Sequence, residues 1–247
     1  MKVFASVLFA CGMVFGIVSL AAAASGIDQV PYGTLTGTQI TNFDDLAGGA
    51  APGTNYDNVI VSGGVAFGER FNGQALSYNG NFDVLSGTPS GSLALVAGAP
   101  NQNLNVFFYT TSNVLNGLGP LGYPSFDAIG EGAFAMMFSS DQSQFGFSLV
   151  GGDGGNAYVS FFKRDGSLID TVTVTGLSNS QYGFERAGDV KDIAGISIYN
   201  DDGGGIGIDD IKYDVQSNVS IPEPATLLLL GSGLAGLAGL GWRRNRH

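Results

Sequence analysis

The chain has 247 residues, with 21 acidic and 10 basic side chains, a formal charge of −11, 40 glycines, one cysteine and one histidine. It is too acidic for a nucleic-acid binder and too rich in glycine for a helical bundle. At 44% apolar and 11% aromatic, it is too hydrophobic to stay unfolded, and the same composition predicts an all-β protein with many tight turns.

Met1-Lys2 precedes an apolar run over residues 3–20 and small residues over 21–25. One early positive charge, an apolar core and a small-residue end predict a signal peptide over residues 1–24, cut after Ala24. Its removal takes away Cys11, and the one histidine is His247. The mature domain is then without disulfides, thiolate or imidazole metal sites, and Ser-His or Cys-His catalysis. The expectation is a protein that is not an enzyme.

Residues 25–220 hold 20 acidic and 6 basic side chains, a net of −14. Residues 59–61 and 65–67 flank the turn Ser62-Gly63-Gly64. Residues 93–96 and 104–109 read as short buried strands. Residues 110–126, with Gly117, Gly119, Pro120, Gly122 and Pro124, read as a long loop. Residues 134–138 and 145–150 are expected to form a hairpin around Ser139-Ser140-Asp141-Gln142. Residues 158–162 turn at Arg164-Asp165-Gly166 into 168–175, within which threonine and valine alternate strictly over 171–175. Residues 193–199 and 206–215 complete the set. Strands spaced by about 8–12 residues predict an all-β, jelly-roll-type β-sandwich over residues 25–216.

Residues 204–212 fit the calcium β-roll nonapeptide letter for letter. That motif works in tandem and here occurs once, so it reads as a glycine-rich turn entering a strand with Ile206 and Ile208 inward. Gly117 to Gly122 match G-x-G-x-x-G, but no βαβ context exists and Pro120 interrupts the amide array.

Asp44-Asp45 and Asp209-Asp210 each stand beside apolar strand residues near opposite ends of the domain. If the first and last strands lie together, their oxygens are expected to meet around a structural calcium, which takes 6–8 oxygen ligands. Solvated turn carboxylates are the plain alternative, and Asp153 and Asn200-Asp201-Asp202 are rival acidic loops. The domain is generically similar to carbohydrate-binding jelly rolls, and that resemblance implies such a calcium. Tyr78, Tyr109, Tyr123, Tyr158, Tyr182 and Tyr199 are candidates for a sugar-stacking platform or for the core and its rim. For the alternative of a secreted glycoside hydrolase, Glu69, Glu131 and Glu185 are candidate carboxylates that no spacing selects. A purely structural or adhesive matrix protein is the third option.

Residues 217–224 read as a stalk ending in Pro222-Glu223-Pro224, and residues 225–242 are 18 uncharged positions. As a helix they span about 27 Å, the thickness of a bilayer core. Arg243, Arg244 and Arg246 follow and predict a cytoplasmic tail over 243–247, with the domain outside. The triplet, the Leu- and Gly-rich apolar segment and the arginine cluster, in that order, resemble the PEP-CTERM protein-sorting signal. The resemblance implies an exosortase as partner. It also implies a Gram-negative bacterium that makes exopolysaccharide, and a mature protein in the cell envelope or extracellular matrix. Exopolysaccharide is then the expected partner of the domain, with the membrane until processing and with no nucleic acid.

Overall fold

The computed structural model describes residues 26–214. The expected signal peptide, the stalk with Pro222, Glu223 and Pro224, the apolar segment, and the tail with Arg243, Arg244 and Arg246 lie outside them. Among the described residues no helix is long and apolar enough to cross a membrane.

Order among the described residues lies in 18 strands and three short 3-10 turns. Sheet A runs from edge to edge as β1 (Ile27–Val30), β16 (Gln181–Arg186), β13 (Gln144–Gly151), β18 (Ile206–Tyr213), β11 (Ser112–Gly117), β10 (Leu104–Tyr109) and β3 (Thr54–Tyr56). A further strand, β2 (Gln39–Thr41), also pairs with β18. Sheet B runs as β15 (Leu168–Thr175), β14 (Asn156–Phe162), β17 (Ile193–Asn200), β12 (Phe134–Gln142), β5 (Val65–Gly68) and β4 (Ile60–Ser62). Two small ribbons, β6 (Arg70–Phe71) with β9 (Leu95–Val96) and β7 (Ala75–Asn79) with β8 (Phe82–Ser86), belong to a segment that folds over sheet B.

Alternation decides which way each strand faces. Val106, Leu115, Phe145, Phe147 and Ile208 of sheet A share one buried cluster with Phe67, Phe134, Val159, Phe161 and Ile198 of sheet B. Phe145 meets Phe138 and Phe161 edge-on at 6.2 and 6.3 Å between centroids, the arrangement that ring quadrupoles favour. Each such side chain contributes about 1.5–3 kcal/mol by leaving water. A second cluster, around Phe71, Leu93, Ala135, Phe162 and Ala194, lies on the other face of sheet B under the ribbon segment.

The hairpins expected at Gly63-Gly64 and at Asp165-Gly166 both form. Gly63 and Gly64 have φ of +55° and +83°, which a two-residue turn needs and which side chains resist. Ile206 and Ile208 point inward as expected.

Two expectations are corrected. Residues 134–138 and 145–150 are strands, but not a hairpin: β12 belongs to sheet B and β13 to sheet A. β12 reaches Gln142 through an irregularity after Met137, where five steps on β12 stand against two on β17; the chain then changes sheet at Ser143 and continues from Gln144. Asp214 holds this corner, accepting hydrogen bonds from the Ser143 N–H at 2.7 Å and its hydroxyl at 3.0 Å. Phe138 and Phe145 pack against each other from opposite sheets. The expected loop over 110–126 is also corrected, since β11 occupies Ser112–Gly117 at the middle of sheet A. Asparagine and glycine disfavour strands, but here Asn113 is buried, and its side-chain amide donates to the carbonyls of Phe43 and Leu46.

Both ends of the described chain meet at one pole. The Gly26 carbonyl accepts from the Ala187 N–H and from Arg186 Nη1. The Arg186 N–H donates to Ser143, which Asp214 holds.

Candidate functional site

The outer face of sheet A carries a groove at the opposite pole. β18 enters there at Ile206 and leaves at Tyr213, seven steps or about 23 Å away at about 3.3 Å per residue. Phe107 and Tyr109 wall the groove, Gly204 to Gly207 form its floor, and Asn116, Val150 and Ile129 complete it. Its volume is about 170 Å³, which suits one small ring lying in an open trough rather than a large enclosed ligand.

Each wall residue is there for a local reason. Leu104 and Val106 are buried in the core, so alternation sends Asn105, Phe107 and Tyr109 outward. The two rings meet edge-on at 6.1 Å and 89°, and Tyr109 is 47% exposed. Gly207 pairs with Asn116 on one side and Val150 on the other. A Cβ on Gly207 would stand 2.5 Å from Asn116 Oδ1 and collide with Val114. The glycine therefore lets its neighbours lean over the floor.

The loops beneath the groove are pinned by Asp202. It is fully buried, and its carboxylate accepts the N–H groups of Asp153, Gly155 and Gly204 at 2.7–2.9 Å. Glu131 is also buried there. Burial pushes its carboxyl up to about 7, with repulsion from Asp127 and Asp202 adding to the shift.

The four aspartates singled out from the sequence do not all converge. Asp44 and Asp209 meet at the start of β11: Asp44 Oδ1 accepts the Asn113 N–H at 3.1 Å, and Asp209 Oδ2 accepts the Ser112 hydroxyl at 2.5 Å. Burial raises the Asp209 carboxyl above its ordinary value, and repulsion from Asp210 and Asp44 adds to this. Asp45 instead caps the Gly63 turn, accepting from the Ser62 hydroxyl at 2.5 Å and the Gly63 N–H at 3.2 Å. Asp210 is the extra residue of a bulge, where the Gly146–Lys212 and Ser148–Asp209 pairs count two steps on β13 against three on β18. Its φ is +45°, and its carbonyl accepts the Tyr32 hydroxyl at 2.8 Å. Among the described residues no group of three or more His, Cys, Asp or Glu side chains is placed to hold a metal ion.

The remaining candidates scatter. Glu69 is buried and ion-paired with Arg70. Glu185 lies on β16, at the pole of the termini, facing Gln144. Tyr123 donates to the Gly53 carbonyl, Tyr182 packs against the core, and Tyr78 stands exposed on β7. Tyr158 and Tyr199 stack on the outer face of sheet B. Sequence reasoning missed Phe107 and Asn116. The signal for Phe107 was the alternation in Leu-Asn-Val-Phe-Phe-Tyr, which places it beside Tyr109.

This geometry offers ring faces, a bare backbone floor and uncharged polar groups, with the Tyr109 hydroxyl and the Asn116 amide as the polar side chains of its lining. It can bind and orient a ligand with one apolar face and several hydroxyls.

No curated protein and no solved structure matches the chain. Residues 220–245 match the PEP-CTERM protein-sorting motif. That motif implies export, anchoring in the membrane and processing by an exosortase. The chain is therefore a protein carrying a PEP-CTERM sorting signal.

Proposed function

We propose that this is a non-enzymatic protein of the cell surface or extracellular matrix whose β-sandwich binds exopolysaccharide through the groove on sheet A. The observation that carries the reading is the groove itself, in which the exposed Tyr109 and its neighbour Phe107 flank a glycine floor on a sheet face. A pyranose ring has an apolar C–H face that rests on such aromatics, while its hydroxyls reach Asn116 and the backbone. The position of the groove supports the same reading. The groove lies at the end of β18 remote from Asp214, the last described residue before the sorting motif. With Arg243, Arg244 and Arg246 held inside, the domain faces outward. We read the sandwich as of the jelly-roll kind, because its central strands β18, β17 and β12 have neighbours remote in sequence.

The test is retention of the full-length chain on immobilised exopolysaccharide from the producing cells. Wild type should be retained and Tyr109→Ala should lose at least tenfold in affinity. Equal retention of both proteins would sink the groove reading.

A further inference from the structure

The outer face of sheet B carries a second cleft. Tyr199 walls it, its ring stacked on Tyr158 at 4.6 Å between centroids and 15° from parallel. Ser160 and Thr171, whose hydroxyls meet at 2.9 Å across β14 and β15, lie along one side. Gln74 and Thr88, from the segment folded over sheet B, line the other. Gln74 is held in place, since its Oε1 accepts the Phe71 N–H at 2.9 Å and its Nε2 donates to the Ser197 hydroxyl at 3.1 Å. The volume is about 290 Å³, close to the lower bound of roughly 300 Å³ for small-molecule sites. In a domain of net charge −14, no charged side chain lines this cleft.

We propose that this cleft is a second site for an uncharged glycan, and that the domain bridges two polysaccharide segments, one on each face. The bridging rests on the sugar-binding reading of the groove; the second cleft rests on its own geometry. Charge decides the ligand class. Neither cleft is lined by Lys or Arg. Of the six Lys and Arg side chains among the described residues, five are ion-paired with carboxylates. The sixth, Lys212, donates to the Leu35 carbonyl and lies over the Tyr32 ring. An anionic sugar therefore meets no free cation and a strongly negative surface. A neutral sugar hydroxyl both donates and accepts, which matches Ser160, Thr171, Thr88 and Gln74. The inner faces of both sheets are filled by the core, so the two clefts open on opposite sides of the sandwich.

The experiment uses the full chain, one copy per lipid nanodisc, with an unbranched uncharged glucan and, in parallel, a polyuronate in the presence of chelator. Calorimetry with short glucan oligomers should count two sites per chain. Tyr109→Ala and Thr171→Lys, both at exposed positions, should each leave one. Light scattering with the long glucan should show cross-linking by wild type and none by either variant. One site in wild type, lost in Tyr109→Ala and kept in Thr171→Lys, would overturn the second cleft while the groove reading stands. Tighter binding of the polyuronate than of the glucan would overturn the uncharged class. Binding of neither polymer would overturn the groove reading and the bridge together.

Discussion

The carboxyl of Glu131 lies directly behind Gly205: a Cβ on that glycine would stand 3.2 Å from Glu131 Oε1. A buried acid thus lies against the loop that floors the groove. Glu131 Oε2 is buried without a hydrogen-bond partner, and burial pushes the carboxyl from 4.5 to about 7. The folded state therefore keeps this proton to a higher pH than the unfolded chain does. The stability it contributes is full below about pH 4.5 and is lost as pH rises through about 7. Glu131→Gln is neutral throughout, so its melting temperature should gain on wild type between pH 4.5 and 8.5. A shift of this size corresponds to about 3 kcal/mol, or several degrees at roughly 2–4 °C per kcal/mol. A gap between variant and wild type that is the same at both pH values would rule this ionisation out.

Asp202 is expected to be the costliest single acid to remove. Its carboxylate is the acceptor for three backbone N–H groups drawn from two loops. Asp202→Ala leaves those part-buried amides without their acceptor, at about 1.5–3 kcal/mol for each bond to a charged group. Allowing for rearrangement, denaturant unfolding should show a loss of about 3–5 kcal/mol, with Asp202→Asn between the two proteins. A loss below about 1 kcal/mol would mean that the loops are held by other contacts.

The same loops show what the sequence reveals and what it hides. Strands that alternate apolar and polar residues, such as β10 and β15, were legible because one face goes to the core. So were the hairpins at Gly63-Gly64 and Asp165-Gly166, since positive φ leaves few residue choices. Sheet membership was not legible. Residues 134–138 and 145–150 look like two arms of a hairpin, and only the long-range pairing of β12 with β17 and of β13 with β18 separates them. β11 was hidden because its buried Asn113 is satisfied by tertiary partners, the carbonyls of Phe43 and Leu46, that local pattern does not contain. The groove was half legible: Tyr109 stood out as an aromatic, but its floor at Gly204 to Gly207 looked only like a turn. Asp202 appeared merely as one acid of a rival loop, because a nest of amides leaves no mark in sequence.

Sorting can be tested apart from binding. Pro222, Glu223 and Pro224 lie within the matched motif. Replacing all three with alanine should leave export unchanged and abolish C-terminal processing, visible on a gel as retention of the longer form. Processing at the same size and rate would show that the triplet is not what the exosortase reads.

Calcium is the reading that the paired aspartates invite, and the geometry makes a definite statement about it. Asp44 and Asp209 do come together, on either side of the Ser112-Asn113 step. Their oxygens there already accept a hydroxyl and an amide, while the Asp45 carboxylate caps the Gly63 turn and the Asp210 carboxylate faces the Ser148 hydroxyl at 3.5 Å. An ion would have to displace the Ser112 and Asn113 donors and still find 6–8 oxygens. A calcium that bound the folded state alone would add RT ln(1 + [L]/Kd), about 2.7 kcal/mol at a hundredfold excess over Kd. For a domain of this size that is about 5–11 °C in melting temperature. The expected outcome is a melting temperature indifferent to millimolar calcium and to chelator. Asp209→Asn, whose Oδ1 can keep the Asp210 N–H while its Nδ2 donates to the Ser112 hydroxyl oxygen, and which removes the repulsion from Asp44 and Asp210, should then melt at or slightly above wild type. A rise of several degrees with calcium, reversed by chelator and absent in Asp209→Asn, would place the ion at this junction instead.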